Sequence, residues 1–507
     1  MIARIYCFAL NGLDGIPVEV ETDINRGMPS YEMVGLPDTA VKESKERVRS
    51  ALKNSGFSFP LNKITVNFAP ADIRKEGASF DLAVAVSLLK ASDQMHGSVN
   101  TDDIVFLGEL ALNGDLRPVS GLLPIMISAK NRGFSKFIIP KDNEKEARFL
   151  EGAEIYPAEN LVAVVSHLLG INPISRLETT SYYIASQVKS SADLKFVKGQ
   201  PVARRALEIA AAGGHNLLMV GPPGTGKTML ARCIPTILPD LTFDEALEIT
   251  KIHSVAGILD QEGIVTERPF RTPHHTASTV SLCGGGNRTV HPGEISLAHG
   301  GVLFLDELPE YKRTTLEALR QPLEDGSISI SRAAGTVTYP SRFILCASMN
   351  PCPCGNFGSQ KLQCNCSPAE IRRYRKKISG PLLDRIDLQV EVDNLSYDEL
   401  ISDESRESSA TVKERVNHAR DIQRERFSQC KLNNNAEMGE REIESFCALS
   451  PECEKILGDA FERLNLSARA RARIIKVART IADLDGSVEI CKKHIYEAVS
   501  YRLQERF

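Results

Sequence analysis

Eight residues near the middle of the chain, Gly221-Pro222-Pro223-Gly224-Thr225-Gly226-Lys227-Thr228, restrict its fold more than any other stretch. A glycine, four further residues, Gly-Lys and then Ser or Thr make a phosphate loop. The motif works between a buried strand and a helix, because backbone N–H groups and a helix N-terminus must converge on phosphate. The flanks meet that condition. Asn216-Leu-Leu-Met-Val220 reads as a short buried strand and Met229-Leu-Ala-Arg-Cys-Ile234 as the first turns of a helix. Gly224 and Gly226 let the backbone approach without a clashing Cβ. Lys227 is assigned to the terminal phosphates and Thr228 to Mg²⁺, so the loop is a nucleoside triphosphate site.

Two later strands end where an open α/β sheet binds its ligands. In Gly301-Val-Leu-Phe-Leu-Asp-Glu307, an apolar run is followed by two carboxylates. Asp306 is read as a Mg²⁺ ligand and Glu307 as the group that polarises the attacking water. Arg342-Phe-Ile-Leu-Cys-Ala-Ser348 leads to Asn350, whose amide can orient that water. Gly380-Pro-Leu-Leu-Asp-Arg-Ile-Asp387 carries Arg385, whose planar charged fork suits developing phosphate charge. The alternative for Arg385 is an intrachain pair with Asp384 or Asp387. Ser467 to Thr480 reads as a helix capped by Ser467, with Ile474, Ile475, Val477, Ala478 and Ile481 on its apolar stripe. Arg469 stands near its start, and Arg471 and Arg473 are either DNA contacts or a solvated face, the second being the reading favoured.

At 507 residues the chain is too long for one core, and three domains are expected. Hydrophobic content of 42% and charged content of 25% are those of a globular protein. No apolar run is long enough to span a membrane and no signal sequence opens the chain, so a cytoplasmic protein without a membrane partner is expected. A net charge of −4 leaves nucleic-acid binding to local basic patches. Twelve cysteines in such a chain point to free thiols and a metal site rather than a disulfide framework.

Residues 1–168 mix strands such as Ile16-Pro-Val-Glu-Val-Glu21, Lys63–Phe68 and Lys136–Pro140 with helices over Val41–Leu52 and Phe80–Leu89. Arg74-Lys-Glu-Gly-Ala-Ser79, Leu107 to Gly121 and Phe137 to Lys145 resemble the proteolytic domain of Lon proteases, in which a serine is paired with a lysine base. Ser79 stands at the serine position, but the lysine position holds Leu123. Without an adjacent base a serine hydroxyl is a poor nucleophile, so a non-catalytic module is expected unless Lys75 or Lys90 substitutes. The Ser- and Thr-rich stretch 169–195 reads as a linker.

Three other stretches carry candidate chemistry. Ser327 to Tyr339 alternates on both sides of a tight centre and reads as a hairpin, with Arg332 at its tip as a DNA-phosphate contact or part of an inert surface. Cys352-Pro-Cys354 and Cys364-Asn-Cys366 are either a Zn²⁺ site or four reduced thiols in a loop. His274 and His275 are adjacent, which does not suit a shared metal, and a place near the pore or the nucleotide is expected for them.

Together these stretches, with Arg268-Pro-Phe-Arg-Thr-Pro-His-His275, His291 to Gly301 and Val477 to Asp483, resemble the bacterial ComM/YifB family over nearly the whole chain. That family consists of AAA+ ATPases related to the ATPase subunit of magnesium chelatase. The resemblance implies an α/β multidomain fold: a Lon-protease-like α+β domain over 1–168, a P-loop AAA+ core with a doubly wound parallel sheet over 196–394, and a helical linker and lid over 395–507. It implies ATP and Mg²⁺ as ligands, Asn350 as first sensor, Arg385 as a finger into a neighbouring site and Arg469 as second sensor. A homo-hexameric ring acting on branched or single-stranded DNA in branch migration is the implied activity. The alternatives are a protein remodeller and a chelatase-like subunit.

Overall fold

The computed structural model describes residues 2–502 apart from 72–74, 76, 96–98, 181–191, 260–262, 287–289, 333–334, 359–361, 396–406, 431 and 465, and of Arg332 and Gly335 the backbone only. Residues 181–191 of the expected linker, residues 396–406 of the crossing to the lid and the Arg332 side chain therefore lie outside the described residues.

Alternation decides the N-terminal part. Ile2–Asn11 (β1) pairs antiparallel with Asp14–Asn25 (β2), from Ile2 opposite Asp23 to Asn11 opposite Asp14. Ser30–Val34 (β3), Lys63–Ala69 (β4), Ile104–Phe106 (β5), Lys136–Pro140 (β6) and Glu154–Ala158 (β7) complete a seven-stranded mixed sheet of order β3-β4-β2-β1-β5-β6-β7. Successive side chains take opposite faces. Ile5, Cys7 and Ala9 pack with Thr39–Asn54 (α1) and Asp81–Ala91 (α2), while Phe8 packs with Leu122–Asn131 (α3) on the other side.

A second sheet follows Pro201–Gly213 (α4). Leu217–Val220 (β8), Phe270–Arg271 (β9), Val302–Leu305 (β10), Ile344–Met349 (β11) and Leu388–Glu391 (β12) are all parallel, in the order β9-β10-β11-β8-β12. β10 and β11 are buried along their whole length, as strands covered on both faces must be. The phosphate-loop strand β8 lies between β11 and β12, and Lys227–Ile237 (α5) leaves the loop. Phe243–Ala256 (α6) opens with a capping box, in which Thr242 Oγ1 accepts from Glu245 N and Glu245 accepts from Thr242 N.

The expected hairpin is present as Ser327–Arg332 (β13) and Gly335–Pro340 (β14), with Arg332 opposite Gly335. Ile328, Ile330 and Tyr339 bury its inner face, and the Tyr339 hydroxyl donates to the Val290 carbonyl at 2.7 Å. The hydroxyl pairs Ser329–Thr338 and Ser331–Thr336 lie exposed.

Toward the C-terminus Ser409–Arg426 (α7) packs on α4 and α5, followed by Pro451–Arg463 (α8), Ala468–Leu484 (α9) and Lys492–Ser500 (α10). Ser467 caps α9 as its sequence predicts, accepting from Ala470 N at 3.2 Å. Buried Asp483 accepts from Arg426, Arg479 and Asn435, tying α7 to α9. The solvated-face reading holds for Arg471, which pairs at the surface with Glu454, and fails for Arg473. Arg473 turns inward and donates to Asp387 Oδ1 at 2.5 Å and to the Arg385 carbonyl at 2.9 Å. The helix packs close enough to the sheet for its long side chain to reach a buried carboxylate.

The two α/β parts touch directly. Gly121 N, just before α3, donates to Ser254 O and Oγ of α6, and Ser254 Oγ donates to Glu146 Oε2 at 2.9 Å. Leu247 of α6 packs against the α3 side of the N-terminal core. Among the described residues no helix is long and apolar enough to cross a membrane.

Candidate nucleotide site

The loop needs its first glycine for reasons of space. A Cβ on Gly221 would sit 2.0 Å from the Val392 carbonyl oxygen beyond β12. The side chain of Lys227, the first residue of α5, is largely buried and folds back over the loop. Its Nζ donates to the carbonyls of Gly221 and Pro222, both at 2.7 Å, and lies 3.5 Å from Asn350 Oδ1. Burial pulls the Lys227 pKa down, and the carboxylates of Asp306 and Glu307 partly offset this.

Thr228, Asp306 and Ser348 meet at the carboxyl ends of the central strands. Thr228 Oγ1 donates to Asp306 Oδ2 at 2.9 Å, and Asp306 Oδ1 accepts from Ser348 Oγ and from Glu307 N. Glu307 has φ +51°, in the left-handed region that a non-glycine residue enters only when its surroundings hold it there. Its exposed carboxylate faces His275 Nδ1 at 3.8 Å. His275 stacks on His274 at 4.1 Å and meets the Tyr311 ring edge-on at 6.5 Å. The sequence reading missed Ser348 and gave His275 no chemistry. Two-residue periodicity carried a signal for Ser348, since it stands two residues before Asn350 at the end of β11.

Arg385 and Arg469 stand elsewhere. The Arg385 carbonyl accepts from Asn216 Nδ2 at 3.0 Å, at the start of β8, whereas the phosphate loop begins at the far end of that strand. Four strand residues separate the two ends, about 13 Å at the usual rise. The buried guanidinium of Arg385 pairs with Glu324, and Arg469 Nη1 lies 3.9 Å from the same carboxylate. The ion-pair partner that the structure gives Arg385 is thus neither Asp384 nor Asp387. No sequence signal pointed to Glu324.

In the N-terminal part Ser79 lies in the turn before α2, where its carbonyl accepts from Gly108 N at 3.1 Å. Leu123 is fully buried in α3. Lys75 donates to the Pro70 carbonyl and Lys90 to Thr101 Oγ1.

The sulfurs of Cys352, Cys354, Cys364 and Cys366 all lie within 4.8 Å of one another. Backbone N–H groups of Asn356 and Asn365 hold the Cys354 thiol down to about 6, while against a backbone bond to each, desolvation and the neighbouring sulfurs push Cys364 and Cys366 up.

Comparison with known proteins covers nearly all of this architecture. Residues 193–400 match the family model for magnesium chelatase, subunit ChlI; residues 20–143 match that for subunit ChlI of Mg-chelatase; residues 406–502 match that for the ChlI C-terminal part. YifB of Escherichia coli is 46% identical over 507 residues, spanning 100% of this chain and 98% of that protein. The competence protein ComM of Haemophilus influenzae is 44% identical over 508 residues, with the same two shares. A Lon protease of Brevibacillus choshinensis is 27% identical over 172 residues, 32% of this chain and 22% of that one. A parallel sheet with a phosphate loop at its centre, and full-length identity to these relatives, place the chain in the ComM/YifB family of magnesium-chelatase-like AAA+ ATPases.

Proposed function

We propose that the protein is an ATP-driven ring motor acting on DNA, a branch-migration helicase of the ComM type. One observation carries the ring. Arg385 and Arg469 share Glu324 at the end of β8 away from the phosphate loop, so their charge serves a neighbouring copy's triphosphate rather than their own. The loop Gly221–Thr228 binds ATP, and Thr228 and Asp306 would hold Mg²⁺, which neutralises phosphate charge. Glu307 orients and polarises the attacking water, helped by Asn350, whose Oδ1 lies 3.5 Å from Lys227 Nζ. In a ring, the finger Arg385 and the sensor Arg469 complete the next site, and a homo-hexamer is the assembly proposed. Residues 1–168 act as a non-peptidase module, consistent with buried Leu123 and with partners elsewhere for Lys75 and Lys90. The 395–507 segment acts as linker and lid.

DNA enters through the hairpin. It comes just before β11 in the chain, and its tip residue Arg332 would track phosphates. The competence role in ComM's name supports a substrate in natural transformation. The test is ATP turnover with and without forked or four-way DNA. Stimulation by DNA, reduced in Arg332→Ala, is the expected result. Unchanged turnover with DNA but stimulation by unfolded protein would favour a remodeller. Loss of DNA-independent turnover in Arg332→Ala would move Arg332 to the nucleotide instead. A chelatase-like subunit remains the second reading, because all three matched family models carry that description.

His275 positions Glu307. His275→Ala is therefore expected to change kcat several-fold while nucleotide affinity stays within about twofold. Steady-state kinetics beside equilibrium binding of a fluorescent ATP analogue separate the two, and equal losses in both would remove His275 from the water-orienting role.

A further inference from the structure

We propose that Cys352, Cys354, Cys364 and Cys366 bind one Zn²⁺ ion that fastens the segment after Asn350 onto the phosphate loop. The sulfurs are spaced as the corners of a tetrahedral site require. Cys352 to Cys354 is 3.3 Å, Cys352 to Cys364 3.7 Å and Cys354 to Cys364 3.6 Å. Four thiolates at about 2.3 Å from a central zinc stand about 3.8 Å apart, whereas a disulfide would bring a pair to about 2 Å. An iron–sulfur cluster would need the sulfurs spread around a much larger core. Phe357 N donates to Cys352 Sγ at 3.3 Å, an outer-shell bond of the kind that supports a coordinated thiolate. Arg375 brings positive charge beside the cluster. It donates to the Pro351 carbonyl at 3.1 Å, and its guanidinium lies 5.1 Å from the Phe357 ring centroid. Zinc would displace the thiol protons and leave a dianionic centre that this charge offsets.

The cluster also abuts the nucleotide site. A Cβ on Gly355, between the two cysteine pairs, would lie 2.7 Å from Pro223 Cδ of the phosphate loop. Cys352 follows Asn350 by two residues, and Asn350 Oδ1 lies 3.5 Å from Lys227 Nζ. The turn over Cys352–Gly355 is closed by one backbone bond, from Gly355 N to Cys352 O at 3.0 Å. The four sulfurs join this turn to Cys364 and Cys366, so a metal there would hold both Pro223's packing partner and the sensor amide in place. This second half of the proposal rests on the nucleotide reading above.

The experiment uses the full chain purified under reducing conditions without chelator. Elemental analysis is expected to find about one zinc per chain, falling below about 0.2 in Cys352→Ser/Cys364→Ser, while Cys354→His, which keeps a ligand, retains it. Binding of a fluorescent ATP analogue is expected to weaken at least about fivefold in the serine variant. It should weaken likewise in wild-type protein stripped with a mercurial, and recover on adding Zn²⁺. The stripping and refilling of intact protein decides the question if the serine variant does not fold. Lys227→Ala should keep its zinc and lose the nucleotide, so a failed metal site and a failed nucleotide site are told apart. Wild-type protein holding less than about 0.2 zinc after incubation with Zn²⁺, or holding iron instead, overturns the site. Full zinc with unchanged nucleotide affinity after stripping overturns the fastening.

Discussion

Lys227→Ala is expected to lower ATP turnover at least about a hundredfold, the cost of losing one preorganised charge partner at a reacting centre. The reason lies in where the ammonium already sits. Two loop carbonyls hold Nζ at 2.7 Å inside a largely buried position, so little side-chain ordering remains to be done when phosphate arrives. Desolvation makes that charge costly, and phosphate oxygens would relieve the cost. Lys227→Arg should not rescue, because a planar fork cannot occupy the space between the Gly221 and Pro222 carbonyls and the phosphates. A coupled phosphate-release assay gives the rate, and an unchanged melting temperature shows that the fold survives. Turnover near the wild-type rate would mean that this loop is not the hydrolytic site.

Arg385→Ala is expected to lose about a thousandfold in turnover with nucleotide affinity little altered, as an arginine finger does. The informative step is mixing. In a one-to-one mixture with Glu307→Gln, an interface is active when its loop comes from the Arg385→Ala copy and its arginine from the other. About a quarter of the interfaces in a randomly mixed ring meet that condition. Turnover in the mixture should therefore exceed that of either variant alone by orders of magnitude. Mixed assemblies without recovered turnover would show that Arg385 acts inside its own chain. Because Arg385 is buried against Glu324, Arg385→Lys serves as the control that keeps a charge at that position.

The phosphate loop, its strand and its helix were legible because each residue type there answers a local demand. The apolar run before Asp306, the hairpin over 327–340 and the cap at Ser467 were legible for the same reason. β1 was not. It lies at the centre of its sheet with both faces covered, so the alternation of Ile5 and Cys7 dissolves into Phe8 and Ala9, which are buried as well. β9 has two residues, too few for any period to show. Arg473 and Glu324 owe their roles to partners far away in sequence, which no local pattern encodes. On its Lon-like residues alone, the N-terminal part argues against kinship with the chelatase subunit. Residues 20–143 nevertheless match a model of that subunit, so this part carries no weight against such kinship.

One contact bears on how motion spreads. Ser254 of α6 is gripped by Gly121 and Glu146 from the N-terminal part, and the buried Glu146 carboxylate also accepts from Asn143 and Leu123 N. Separating the two faces would strand a carboxylate with one of its three donors gone, in surroundings where burial already pushes its pKa upward. A displacement of α6 is therefore expected to carry the N-terminal sheet with it as a geared wheel, rather than trailing it on a string.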